Sequence, residues 1–168
     1  MAHLWLIGMM GSGKSAVGRH LAGRRGVAFY DVDQVIESAV GMTIRQVFDS
    51  QGEERFRDFE AEAICAIASA PAGVVATGGG AVLRDENVET MRESGTIVLL
   101  RAAPTELASR LADSTDRPLL AGGDRAARIE QLLETRAAAY GRAADVTVDT
   151  DGLQPADIAD RIEETCAT

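Results

Sequence analysis

Lysine is nearly missing from this 168-residue chain: Lys14 is the only one, and the other sixteen basic residues are all arginine. Cysteine is almost as scarce. Cys65 and Cys166 are too few for the disulfide framework of a secreted scaffold and lack metal-ligand spacing, which points to inert thiols in a reducing, cytoplasmic setting. His3 and His20 are the only histidines, with no partner at the spacing of a metal site or nucleophile system, and no zinc or nucleophile-elbow signature occurs. No apolar stretch is long enough to span a bilayer. The apolar run over residues 4–7 is too short for a signal-peptide core and has no basic flank. Positive charge is short overall, and a net charge of -9 excludes general nucleic-acid binding. An anionic small molecule must therefore be drawn in by local arginines. No linker or repeat divides the chain, so residues 1–168 are expected to form one domain, and nothing in them demands more than a monomer.

What is present begins with that lysine. Lys14 completes Gly8-Met-Met-Gly11-Ser12-Gly13-Lys14-Ser15, a full match to the phosphate-binding pattern G-x-x-x-x-G-K-[ST]. A compact ammonium suits the gap between the β- and γ-phosphates of a nucleoside triphosphate better than a guanidinium does. The context fits. Leu4-Trp-Leu-Ile7 reads as a buried strand feeding the loop, and Val17, Leu21 and Ala22 recur at helical spacing after it. Backbone N–H groups of the loop and helix start would surround the phosphates, and the Ser15 hydroxyl would ligate Mg²⁺.

Apolar runs over residues 4–7, 27–30, 74–76, 97–100 and 146–148 alternate with helix-period segments. The alternation predicts an α/β fold, a five-stranded parallel sheet between two layers of helices. In such sheets ligands sit beyond the carboxyl ends of the strands. After the second run stand Asp31 and Asp33, whose period-two spacing puts both carboxylates on one side of an extended segment. One suits Mg²⁺ through water and the other a substrate hydroxyl; the plainer alternative is a helix with Asp33 as N-cap over residues 34–39. After the third run, Thr77-Gly78-Gly79-Gly80 allows a ligand close to the backbone, or is simply a turn. Arg136 projects from the middle of the stripe Ile129, Leu132, Leu133, Tyr140, where a guanidinium either snorkels, pairs internally or receives an anion. Arg57 borders the stripe Phe56, Phe59, Ala63, Ile64, Ile67, three residues before Glu60. The loop at about residues 113–124, with Arg117, Pro118, Gly122 and Gly123, reads either as a lid that brings a cation to a transferring group or as a solvated connection. The segment Pro155–Cys166 reads as a packing helix.

With these residues in view, the chain resembles the bacterial shikimate kinases, members of the nucleoside-monophosphate-kinase-like branch of P-loop proteins. The likeness runs through the phosphate loop, Asp31-Val-Asp33, Thr43-Ile-Arg-Gln-Val-Phe48, Gly52-Glu53, Phe56-Arg57-Asp-Phe-Glu60, Gly78-Gly79-Gly80, Arg117-Pro-Leu-Leu120, and Arg136 with Tyr140. The resemblance implies an enzyme that moves the γ-phosphoryl of ATP, with Mg²⁺, to the 3-hydroxyl of shikimate. It implies further that Arg57 and Arg136 bind the shikimate carboxylate, Asp33 its hydroxyls, and Gly78, Gly79 and Gly80 line the same pocket, with Glu60 orienting Arg57. Lys14 and Arg117 would stabilise the transferring group, Ser15 and Asp31 would hold Mg²⁺, and Arg110 with the loop near Pro155 would take the adenine. One departure is Ala16, at a nucleotide-binding position where relatives commonly carry a second hydroxyl. Rival readings are another small-molecule kinase of this fold, for gluconate or a nucleoside monophosphate, and a non-catalytic ATP-binding paralogue.

Overall fold

A computed structural model describes residues 2–112 and 124–166. Five apolar segments form strands β1 (His3–Ile7), β2 (Ala28–Asp31), β3 (Gly73–Ala76), β4 (Gly95–Arg101) and β5 (Val146–Asp149). Each takes in one of the runs expected from sequence, shifted at the ends by one or two residues. They pair in parallel throughout, in the order β2-β3-β1-β4-β5. Parallel strands need crossover connections, and the helices that supply them cover both faces, as the α/β expectation required.

The pleat of β1 divides the core. Trp5 and Ile7 point to one face, where with Val75, Ile97 and Leu99 they pack on α2 (Val32–Val40), α3 (Ile44–Ala68), α4 (Asp85–Ser94) and α6 (Arg125–Ala143). Leu4 and Leu6 point to the other, where with Val74, Val98 and Leu100 they pack on α1 (Lys14–Arg25) and α7 (Pro155–Cys166). Because all five residues of β1 are buried, this strand is central and its carboxyl end lies in the interior of the molecule's upper edge. A third cluster closes that edge: Met9 and Met10 of the loop after β1 pack on Leu107 of α5 (Pro104–Arg110), on Leu111 just beyond it, and on Ile129 of α6. His3, without a role in sequence, is buried beside Trp5 and Tyr30 and accepts the Gly73 N–H through Nδ1 at 3.2 Å.

Two local features differ from expectation. Asp31 and Asp33 do not share one extended segment, because α2 begins at Val32, and Asp31 rather than Asp33 is its N-cap, accepting the Asp33 N–H at 3.2 Å. The capping bond satisfies a helix-start donor that a longer strand would have left to water. Helix α3 is two helical pieces that meet at a kink at Gly52 (φ 83°, ψ 172°), a conformation essentially restricted to glycine. Its first piece starts at a complete capping box in which Thr43 Oγ1 accepts the Gln46 N–H and Gln46 Oε1 accepts the Thr43 N–H.

Candidate active site

The loop between β1 and α1 turns through Gly8, Gly11 and Gly13, all at positive φ. Gly13, at φ 97° and ψ 10°, is the N-cap of α1 and offers no side chain, so the first N–H groups of that helix stay open to an anion. Lys14 folds back over the loop, donating to the carbonyls of Gly8 at 2.7 Å and Met9 at 3.0 Å. Its ammonium is thereby held, nearly buried, at the rim of the cleft that a triphosphate would enter. The Ser12 side chain is fully buried and its backbone N–H closes a turn on Met9 O at 3.1 Å, so Ser12 serves by shaping the loop.

Two oxygen donors meet at the base of this loop. The Ser15 hydroxyl donates to Asp31 Oδ2 at 2.8 Å, while Asp31 Oδ1 caps α2. A hydroxyl and a carboxylate side by side beneath a phosphate site form a hard, all-oxygen set, which fits Mg²⁺ completed by water and phosphate oxygens. Asp33, in the first turn of α2, lines the same cleft. That cleft has a volume of about 870 Å³, and its walls also include Arg57, Arg136 and the turn at residues 78–80.

The far wall carries the two arginines that interrupted apolar stripes. Arg57, on the second piece of α3, is 8 % exposed, and its fork donates to Glu60 Oε2 at 2.8 Å and Glu53 Oε1 at 3.1 Å. Burial works against the Arg57 cation, but the two carboxylates outweigh it and leave its pKa above the usual guanidinium value. Glu60 is fully buried, and that burial pushes its pKa up against the opposing pull of Arg57. Arg136, 2 % exposed, forms no ion pair among the described residues; its guanidinium meets the Met9 thioether at 3.9 Å and the Tyr140 hydroxyl one turn along the helix. Between the arginines, the turn at 78–80 is tight rather than loose: Ala81 N–H bonds Gly78 O at 3.2 Å and Leu83 N–H bonds Gly80 O at 3.0 Å. Crowding is severe at Gly80 and mild at Gly79. A Cβ on Gly80 would lie 2.6 Å from Arg57 Cζ, and one on Gly79 would lie 3.3 Å from Arg136 Nη1.

A second hollow of about 350 Å³ opens beyond Gly13, bounded by Arg110, Leu153, Gln154 and Pro155. Arg110 spans both, donating to Gly11 O at 3.3 Å, Thr150 O at 2.9 Å and Glu106 Oε1 at 3.0 Å.

Residues 10–167 match the sequence model of the family described as shikimate kinase. The chain belongs to the shikimate kinase family. It is 45 % identical over 162 residues to the shikimate kinase of Thermodesulfovibrio yellowstonii, covering 96 % of this chain and 93 % of that one. It is 44 % identical over 148 residues to that of Chromobacterium violaceum, covering 88 % and 80 %. The shikimate kinase of Acinetobacter baumannii, solved in complex with shikimate, has a TM-score of 0.96 at 34 % identity, covering 99 % of this chain and 93 % of that chain. A gluconokinase from Sinorhizobium meliloti, at 21 % identity and a TM-score of 0.62, shares the fold alone.

As a shikimate kinase family member, the chain brings together most of what its sequence singled out: Lys14, Ser15, Ala16, Asp31, Asp33, Arg57, Arg110, Arg136 and residues 78–80 all line the larger cleft. Arg117 and the lid at 113–124 lie outside the described residues except for Asp124, which caps α6 by accepting the Ala126 N–H at 3.0 Å. Several wall residues were not anticipated. Glu37 lines the cleft and accepts the Ile44 N–H at 2.9 Å, tying α2 to α3, and Phe48 and Phe56 form an aromatic pair with centroids 4.7 Å apart. Thr150, fully buried, holds Arg110 in place. Glu37 and the aromatics read as ordinary amphipathic helix residues, and only their shared wall gives them a site. No helix among the described residues is long and apolar enough to cross a membrane.

Proposed function

We propose that this chain transfers the γ-phosphoryl of ATP to the 3-hydroxyl of shikimate, giving ADP and shikimate 3-phosphate for the route to chorismate and the aromatic amino acids. The observation that carries the reading is the pair of buried arginines beside the phosphate loop. Arg136 is buried without an ion-pairing carboxylate among the described residues, and Arg57 is already oriented by Glu60, so a planar carboxylate entering between them meets two donor forks. Asp33, across the same cleft, accepts hydrogen bonds from ring hydroxyls and orients the one that attacks. Gly78, Gly79 and Gly80 leave room for the ring.

Phosphoryl transfer through a loose transition state needs in-line positioning and charge stabilisation more than a strong base. Lys14 supplies one cation at the β- and γ-phosphates, released from the Gly8 and Met9 carbonyls when the nucleotide binds. Arg117 supplies the other from the segment beyond α5. Ser15, and Asp31 through water, would hold Mg²⁺, which when bound would screen phosphate charge. Backbone N–H groups of Gly11 and Gly13 and of the α1 start, with Ser12 shaping the loop and Ala16 beside them, cradle the phosphates, and Arg110 and Pro155 flank the adenine in the second hollow. The enzyme works as a monomer in the cytoplasm on this reading.

Coupled ADP release is measured with and without shikimate. Turnover that requires shikimate is expected, and Arg136→Ala raises the KM for shikimate by about tenfold to a hundredfold, the range of a lost charge-assisted contact, with ATP binding in the absence of shikimate unchanged. Equal ADP release with and without shikimate would overturn the reading in favour of an ATP-binding module.

A further inference from the structure

None of these roles uses the hydroxyl of Tyr140. The side chain is buried, 4 % exposed, and its Oη donates to Gly79 O at 2.5 Å across 61 residues of sequence. Burial raises the phenol pKa against the opposing influence of Arg136, which also hydrogen-bonds the phenol oxygen, and of Arg57, so at neutral pH the group keeps its proton, donating to Gly79 while it accepts from Arg136. The acceptor it has chosen is the middle glycine of the turn that lines the acid pocket. Gly79 is confined on its other sides: a Cβ there would stand 3.3 Å from Arg136 Nη1 and 3.3 Å from the Met10 backbone nitrogen of the phosphate loop.

Tyr140 also lies one helical turn beyond Arg136 on α6, on the same face. One helix therefore presents the guanidinium and, four residues later, grips the turn packed against it. We infer that Tyr140 is a positioning residue for the acid substrate: its hydroxyl fixes the Gly79 carbonyl and so sets the gap between the 78–80 turn and Arg136 into which the carboxylate fits. The inference rests on the reading of the site as a shikimate pocket. A donor lost from this bond leaves a buried carbonyl unpaired, which the turn relieves by rotating the 79–80 peptide toward the cleft.

The test is the steady-state kinetics of Tyr140→Phe. The expected result is a KM for shikimate raised by about tenfold, with kcat and the KM for ATP within about twofold of wild type. Replacing Tyr140 by 4-aminophenylalanine keeps an N–H donor at the same place and is expected to restore the shikimate KM; if Tyr140→Phe proves insoluble, this variant alone decides, because a raised shikimate KM despite the retained donor overturns the inference. A purely structural bond would lower Tm and leave both KM values alone, and that pattern, or equal rises in both, also overturns it. Wild-type protein run alongside separates the two levels. No shikimate-dependent turnover in wild type defeats the parent reading, whereas normal wild-type turnover with normal Tyr140→Phe kinetics defeats only the role of Tyr140.

Discussion

Glu60 is the residue at which stability and the proposed substrate recognition meet. A fully buried carboxylate is costly unless paired, and its pairing with Arg57 at 2.8 Å is what orients that guanidinium toward the cleft. Burial nevertheless keeps the Glu60 pKa above the ordinary value of 4.5. For a group whose folded pKa is raised, the contribution to stability is fully present below the unfolded pKa and is withdrawn as pH rises through the folded value. Glu60→Gln has no such step. The stability difference, wild type minus Glu60→Gln, is therefore expected to be largest in acid and to shrink as pH climbs above about 4.5, read from urea unfolding at a series of pH values. A difference that stays constant or grows with pH contradicts the assignment. Exposed Asp149 shows the opposite sign, held low chiefly by its hydrogen bond from Arg101, so its contribution fades as pH falls.

At the scale of elements, the break in α3 decides where the proposed acid pocket stands. The piece before Gly52 carries Phe48, and the piece after it carries Phe56, Arg57 and Glu60, so the angle between them sets the aromatic and ionic walls relative to each other. Gly52 has open space around it, with nothing within 4 Å of where a Cβ would stand, yet its φ of 83° and ψ of 172° suit glycine alone. Gly52→Ala is thus a backbone penalty without a clash, of about 1–3 kcal/mol. Thermal unfolding should register it as a Tm lower by about 2–12 °C, accompanied by a higher KM for shikimate as the α3 pieces realign. An unchanged Tm would mean that the helix straightens at no cost.

Across the whole molecule, a net charge of -9 coexists with a cleft into which Lys14, Arg45, Arg57, Arg110 and Arg136 all face. Concentrating cations in one cleft of an acidic chain makes that cleft the place where anions are attracted and links their binding to folding. Each ligand that binds only the folded state at a hundred times its Kd adds about 2.7 kcal/mol. For a chain of 168 residues, that corresponds to a Tm raised by about 5–11 °C. Differential scanning calorimetry with MgATP, with shikimate and with gluconate separates the proposed substrate from its nearest rival: the first two are expected to raise Tm and gluconate is not.

The local features of the chain were determined by its sequence. Five apolar runs became five parallel strands: a run buried on both faces, as in β1 and β3, is itself the mark of a central parallel strand, and the partly exposed β2 and β5 stand at the edges. The phosphate loop was equally legible, since glycines at fixed spacing, one lysine and one serine answer steric and charge demands confined to eight residues. Arg57 and Arg136 were visible as charges in the wrong stripe, but not what they faced. Tertiary structure alone decided that they share a cleft, that Asp31 rather than Asp33 caps α2, that α3 breaks at Gly52, and that Tyr140 grips Gly79. The physical reason is range. Periodicity and turn chemistry act over a few neighbours, whereas the site is made of contacts between segments up to 127 residues apart, such as Arg136 on Met9, which exist only once the sheet has set its strand order.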